Sequence, residues 1–284
     1  ATGDCLDCHQ PHGGERAGLL SQAMPALCFD CHDGESAGFR GAHLGVADPG
    51  RLNCLSCHQA HVADVPALLH AKAHPPFADR DCQACHKAGE TAVPRGTCLD
   101  CHDDPIGGRK RVHAPLADGD CTACHNPHAA AGEHLFAGTV SESCYGCHDE
   151  KALVPEPALA HAPIREGRCE VCHDGHASNQ PALLREAPGG LCLSCHAELG
   201  NAAGGKAHSP VARGDCMVCH DAHGTSQPDL LKAAQPGLCL NCHAAGESGM
   251  AAAHGGFSLA DVDCASCHTP HRSLQPALGR QGSV

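Results

Sequence analysis

Residues 5–12 read "CLDCHQPH": two thiols three positions apart, an imidazole directly behind the second, and another imidazole three residues further on. The same eight-residue form returns as "CLSCHQAH" at 54–61, "CTACHNPH" at 121–128, "CEVCHDGH" at 169–176, "CMVCHDAH" at 216–223 and "CASCHTPH" at 264–271. All 24 cysteines fall into twelve C-x-x-C-H motifs with none left over. The thiol pairs are Cys5 and Cys8, Cys28 and Cys31, Cys54 and Cys57, Cys82 and Cys85, Cys98 and Cys101, and Cys121 and Cys124. They continue with Cys144 and Cys147, Cys169 and Cys172, Cys192 and Cys195, Cys216 and Cys219, Cys239 and Cys242, and Cys264 and Cys267. The histidines behind them are His9, His32, His58, His86, His102, His125, His148, His173, His196, His220, His243 and His268.

Positions i, i+3 and i+4 of a helical turn share a face, so one turn presents both sulfurs and the imidazole together. Zinc sites use paired C-x-x-C elements but do not call for a histidine behind every pair. Disulfide scaffolds are indifferent to that histidine, and thioredoxin-like centres occur singly on a βαβ frame. Covalent c-type haem attachment needs all three residues, sulfurs for the two vinyl groups and imidazole for the iron. Twelve repetitions select this reading, with twelve haem c groups.

Fourteen histidines remain of the 26. Six trail a motif histidine by three residues: His12, His61, His128, His176, His223 and His271. Six lie upstream of a motif: His43, His74, His113, His161, His208 and His254. Neutral imidazole is the common nitrogen ligand for iron, and these twelve supply one distal ligand per haem. A trailing histidine cannot reach the far side of its own macrocycle, whose near face the motif histidine holds. It is therefore expected to ligate a neighbouring haem and to keep consecutive macrocycles close. His70 and His134 are left over. Only Met24, Met217 and Met250 could offer thioether ligation, so bis-histidine irons of low potential are expected throughout.

The polypeptide that must position these groups is poor in core-forming residues. Leu, Ile, Val and Phe make up 45 of 284 residues, Trp is absent and Tyr145 is the one tyrosine. That is below the ~20% at which a charged chain reads as disordered, so porphyrins rather than side chains must form the interior. With 33 Gly and 20 Pro between motifs, the expected fold is mostly irregular, with short one-turn helices and little or no β-sheet. It would be an elongated, solenoid-like, haem-cored repeat. Asp4, Asp81, Asp120, Asp215, Asp263, Asn53, Thr97 and Ser143 directly precede a first cysteine as N-cap types.

A repeat of about 47 residues is clearest over 113–160, 161–207, 208–253 and 254–284, within one body spanning 1–284. Residues 54–102 are irregular, with Cys82 and Cys98 only 16 apart and no trailing histidine after His86. The run "RKRVH" at 109–113 is expected to face haem propionates or solvent. A formal charge of −13 argues against a nucleic-acid partner. No apolar run reaches the roughly 18 residues of a membrane span. The opening "ATGDC" reads as a mature chain trimmed of an export leader, and direct lipid anchoring is not expected because Cys5 already lies in a motif.

The pattern C-x-x-C-H-x-x-H, a leucine-bearing spacer such as "LLREAPGGLC", then a second L-C-x-x-C-H resembles the doubled C-x-x-C-H family of multihaem cytochromes. That family includes periplasmic decahaem conduits that thread an outer-membrane porin and small pentahaem donors to nitrite reductase. The resemblance implies an electron wire exposed at both ends, exchanging electrons with redox-protein donors and acceptors. Its location would be periplasmic, outer-membrane-associated or extracellular, where c-type haem is attached. Its departures are the count of twelve, the compressed Cys82–Cys98 unit and the missing histidine after His86. A subunit of an extracellular cytochrome filament, or nanowire, is the alternative. A multihaem reductase is the third reading, disfavoured because every motif ends in histidine and Tyr145 sits inside "CYGCH". No catalytic residue is assigned.

Overall fold

Every motif closes with the same bond. In all twelve, the N–H of the motif histidine donates to the carbonyl of the first cysteine, from His9 to Cys5 (2.9 Å) through His268 to Cys264 (2.9 Å). This i→i−4 bond is that of one α-turn, and it sets the two thiols and the imidazole on one side. The computed structural model describes residues 4–43, 45, 48–87, 92–94, 96–136, 138–200, 204–243, 248–256, 258–259 and 262–281.

Regular structure is sparse. Among the described residues the longest helices have six residues: Ala37–Ala42, Val140–Tyr145, Pro188–Leu193 and Ser248–Ala253. Most motifs with a trailing histidine sit on a 3₁₀ turn such as Cys169–Val171 or Cys216–Val218. Of the other six motifs, four lie on a short α-helix, as in Ala26–Phe29 and Pro188–Leu193, and the two at Cys82 and Cys98 sit on 3₁₀ turns. Asp4, Asp120 and Asp263 cap their turns by accepting from amides two or three residues on. Asn53, Asp81 and Asp215 precede theirs without a side-chain cap bond. Gly96 takes the cap position ahead of Thr97, and Ser143 lies inside its helix. A one-turn element closed by its own cysteine-to-histidine bond has few orphan amides, so the cap is optional.

The strands are two residues each. β1 (Lys72–Ala73) pairs with β3 (Ala129–Ala130), β2 (Arg111–Val112) with β4 (Ala177–Ser178), and β5 (Lys206–Ala207) with β6 (Arg272–Ser273), all antiparallel. A single bridge, Ala160 to Gly224, repeats the arrangement. At each junction an upstream histidine donates its backbone N–H to the carbonyl of a trailing one: His74 to His128 (2.9 Å), His113 to His176 (2.9 Å), His161 to His223 (3.0 Å) and His208 to His271 (2.9 Å). Two distal histidines thus leave one backbone junction. The run at 109–113 belongs here too. Arg109 binds the Asp174 carboxylate (2.7 Å) and the Ala177 carbonyl (2.8 Å), so this side chain is engaged by protein rather than by propionate or solvent alone.

The chain divides into two compact units, residues 1–104 with 114–139, and residues 105–113 with 140–284. Buried apolar residues are few and small: Leu27, Ala129, Ala130, Val154, Ala160 and Ala177. Among the described residues no large side chain is fully buried. The accessible surface is 19,000 Å², against about 11,000 Å² for a compact protein of this mass.

In the second unit, glycine lets successive motifs approach. A Cβ on Gly189, in the helix leading to Cys192, would lie 3.0 Å from the Cα of Gly214, in the turn leading to Cys216. Gly214 has φ +75, and the corresponding Gly167 packs against Ser141. Backbone rather than side chain sets the spacing of those turns.

Candidate haem centres

The structure places histidines opposite one another in pairs, always one motif histidine and one distal histidine. In unit 1 these are His9 with His61, His43 with His58, His74 with His102, and His86 with His128. In unit 2 they are His113 with His148, His161 with His196, and His173 with His223. His208 with His243, His220 with His271, and His254 with His268 complete the ten. Ring centroids stand 5.7 to 6.2 Å apart. Two imidazoles on opposite sides of one iron, each donor about 2.0 Å from the metal and each ring centre about 1.1 Å further back, would stand about 6 Å apart. The residues fit a bis-histidine haem ten times over.

The pairing follows a rule. Four trailing histidines, His61, His128, His223 and His271, each face the motif two before their own, as His223 faces His173 and skips His196. The expectation that a trailing histidine serves a haem other than its own agrees with this geometry. The expectation that it ties consecutive macrocycles together does not, because it reaches over the intervening motif. Upstream histidines eight residues ahead of a cysteine likewise skip the nearest motif, as His161 passes His173 to face His196. His43 and His254, eleven and ten residues ahead, face the next motif directly.

Consecutive motifs meet instead through their cysteines, all of which are free of disulfides. Thiols of Cys28 and Cys54, Cys98 and Cys121, Cys144 and Cys169, Cys192 and Cys216, and Cys239 and Cys264 are in hydrogen-bonding contact. Cys172 with Cys195, and Cys219 with Cys242, are close enough to act on each other electrostatically. Within unit 2 these contacts run without a break from Cys144 to Cys264.

The imidazoles are aimed by hydrogen bonds at Nδ1, which leave Nε2 for a metal. Nδ1 of His9, His58, His125, His173, His220 and His268 donates to the carbonyl nine residues on, at 2.7 to 2.9 Å. The acceptors are Gly18, Ala67, His134, Ala182, Asp229 and Ala277. Each begins a two-residue left-handed turn, with φ from +51 at His134 to +67 at Gly18, followed by a leucine also at positive φ. Distal His43, His113, His161 and His254 donate Nδ1 in the same manner to Phe39, Gly175, Ala222 and Met250. Burial, reinforced by facing imidazoles, lowers the basicity of His128, His161, His223 and His271. The neutral, ligating form is thereby favoured.

The two surplus histidines have other work. His134 supplies the carbonyl that orients His125. His70 is buried, and its Nε2 donates to the Leu55 carbonyl inside a motif turn (3.0 Å). A concavity of ≈ 550 Å³ opens beside Cys31 and His32, lined by Phe29, Pro49 and Gly50 among others. It is of the size that a small cofactor site requires.

Short turns bearing paired thiols, opposed imidazoles and a scarcity of side-chain core define a multihaem c-type cytochrome. The doubled CXXCH motif family matches residues 1–37, 113–153, 161–201 and 208–248. These regions cover more than half of the chain, and the protein belongs to that family. The multiheme cytochrome MtrA of Shewanella baltica (strain OS185) is 31% identical over 172 residues, covering 52% of this chain and 42% of that protein. The chain therefore matches less than half the length of this relative. Among the described residues no helix is long and apolar enough to cross a membrane.

Proposed function

We propose that this cytochrome moves electrons over a long distance through twelve covalently bound bis-histidine haems, passing them between motifs in sequence order. A haem so attached would supply one-electron iron chemistry; each pair of cysteines would hold its edge and two histidines its iron, leaving no place for exogenous ligands. The observation that carries the reading is the coincidence of ten opposed imidazole pairs with thiol contacts between successive motifs. Closed irons held in succession suit relay rather than substrate turnover. By count, His12, His32, His125 and His176 supply the four remaining ligands. The chain works outside the cytoplasmic membrane, in the periplasm, at the outer membrane or beyond, between redox-protein donors and acceptors. The family resemblance favours a discrete conduit, with an outer-membrane porin as a partner, over a filament subunit.

The test is spectroscopic and kinetic. Intact mass should give twelve haems per chain, and the oxidised protein should be wholly low-spin. After flash reduction by an external donor, electrons should redistribute among haems at a rate independent of protein concentration. Equilibration that slows in proportion to dilution would overturn the relay, and a high-spin population would point to a reductase. Electron microscopy of native material separates a rod from a filament.

A further inference from the structure

One position recurs beside the haem-bearing turns without being a ligand. Twelve residues after the motif histidine stand Ser21, His70, Arg185, Lys232 and Arg280. Their backbone N–H groups donate to the second cysteine of the motif: Cys8 (2.9 Å), Cys57 (3.0 Å), Cys172 (2.9 Å), Cys219 (2.9 Å) and Cys267 (2.8 Å). In three cases the side chain grips the same turn again, at the carbonyl of the residue after the first cysteine. Arg185 donates to Glu170 (2.9 Å), Lys232 to Met217, and His70 to Leu55 (3.0 Å).

From this juxtaposition we infer that the residue twelve after the motif histidine sets the potential of the haem on that turn, through the charge it places there. Arg185 and Lys232 fix cations against turns whose thiols and imidazole hold a macrocycle. Reduction adds one electron and lowers the charge at the iron by one, so a nearby cation favours the ferrous state. Ser21 places no charge on the first turn, and the first haem should reduce less readily on this account than those at Cys169 and Cys216. The position is therefore a tuning site that grades the chain of potentials, while the ligand sets stay uniform. His70 fills the same place with an imidazole, which explains a buried histidine that no ring pair requires. The inference rests on the relay reading and adds to it which residues bias the direction of flow.

The experiment is an equilibrium redox titration of the purified, fully haem-loaded protein, followed optically. Both cations are exposed, so solvent screening moderates their effect. In the Arg185→Gln/Lys232→Gln double variant, two haems of the twelve should show a ferrous-to-ferric ratio about three- to tenfold lower at a given potential. At about 59 mV per decade for one electron this is a shift of about 30 to 60 mV to lower potential. Arg185→Lys and Lys232→Arg should titrate as the unsubstituted protein does. Ser21→Arg, away from both sites, should shift one haem the opposite way. Superimposable titrations of the double variant and the unsubstituted protein would overturn the inference. So would a shift of equal size with the conservative replacements, which would mark a purely structural clamp. Haem content and the low-spin spectrum of the same samples report separately on the relay reading. Twelve low-spin haems with unmoved potentials would defeat this inference alone.

Discussion

Cys192 and Cys216 belong to successive motifs 24 residues apart, yet their sulfurs come within hydrogen-bonding reach of each other. When both sulfurs are thioethers, that contact joins one corner of each macrocycle to the next. Gly189 and Gly214 make it, because no side chain stands between the two backbones.

Replacing Gly189 by leucine therefore forces the helix Pro188–Leu193 away from the turn before Cys216. Overpacking of this kind costs about 1–3 kcal/mol. Denaturation followed at the Soret band should show a lower midpoint with all haems still attached. An unchanged midpoint would mean that the two glycines do not control the approach.

The facing histidine pairs can be tested one at a time. His223 faces His173, with centroids 6.0 Å apart, while His134 offers only its carbonyl to His125. His223→Gly should convert one haem to a high-spin form that added imidazole returns to low spin. His134→Ala should leave every iron low-spin. Electron paramagnetic resonance reads both, and a high-spin signal from His134→Ala would overturn the assignment.

How far these pairs were legible in the sequence depends on the kind of information each required. The motif residues, the twelve candidate distal histidines and the sparse secondary structure could be read directly, since spacing within one turn is local and composition forbids a side-chain core. The partner of each histidine could not. His161 and His196 meet with the Cys169–His173 motif passed over between them, while Ala160 bridges to Gly224, and such pairing leaves no mark in a spacing of 35 residues. One signal was present but unread. Upstream histidines with an eight-residue offset skip a motif, whereas His43 and His254, with longer offsets, do not. The leucine-bearing stretch was likewise visible as a repeat, but only the fold shows that its purpose is to turn a carbonyl toward Nδ1.

That turn offers a stability test. Asp229 holds φ +55 so that its carbonyl meets Nδ1 of His220 at 2.8 Å. Glycine adopts this conformation without strain, so Asp229→Gly should be neutral or stabilising by up to about 1 kcal/mol. A β-branched residue there is strained, and Asp229→Val should destabilise by about 1–3 kcal/mol. Guanidinium unfolding of the loaded protein measures both, and equal stabilities would show that the left-handed turn is not needed.

The angle between facing rings makes a finer prediction. Eight pairs lie near parallel, from 14° for His173 and His223 to 25° for His220 and His271. His43 with His58 crosses at 48°, and His254 with His268 at 59°. An imidazole holding a haem iron would donate π density to the iron d orbital perpendicular to its ring. Parallel rings act on the same orbital and split the dπ pair, whereas crossed rings act on both and bring them toward degeneracy. The two crossed pairs are those in which an upstream histidine faces the next motif directly; of the eight near-parallel pairs, four take the eight-residue approach and four use a trailing histidine. Nδ1 of both is tied to a carbonyl four residues earlier, Phe39 for His43 and Met250 for His254, which fixes each ring relative to its own helix. Low-temperature paramagnetic resonance of the oxidised protein should therefore resolve two haems with strongly anisotropic, high-g signals beside a larger rhombic population. His254→Gly should remove one of the two, and His161→Gly, whose pair lies at 18°, should remove neither. A spectrum with no high-g component, or one that His161→Gly depletes, would show that ring orientation is not set by the approach of the distal histidine.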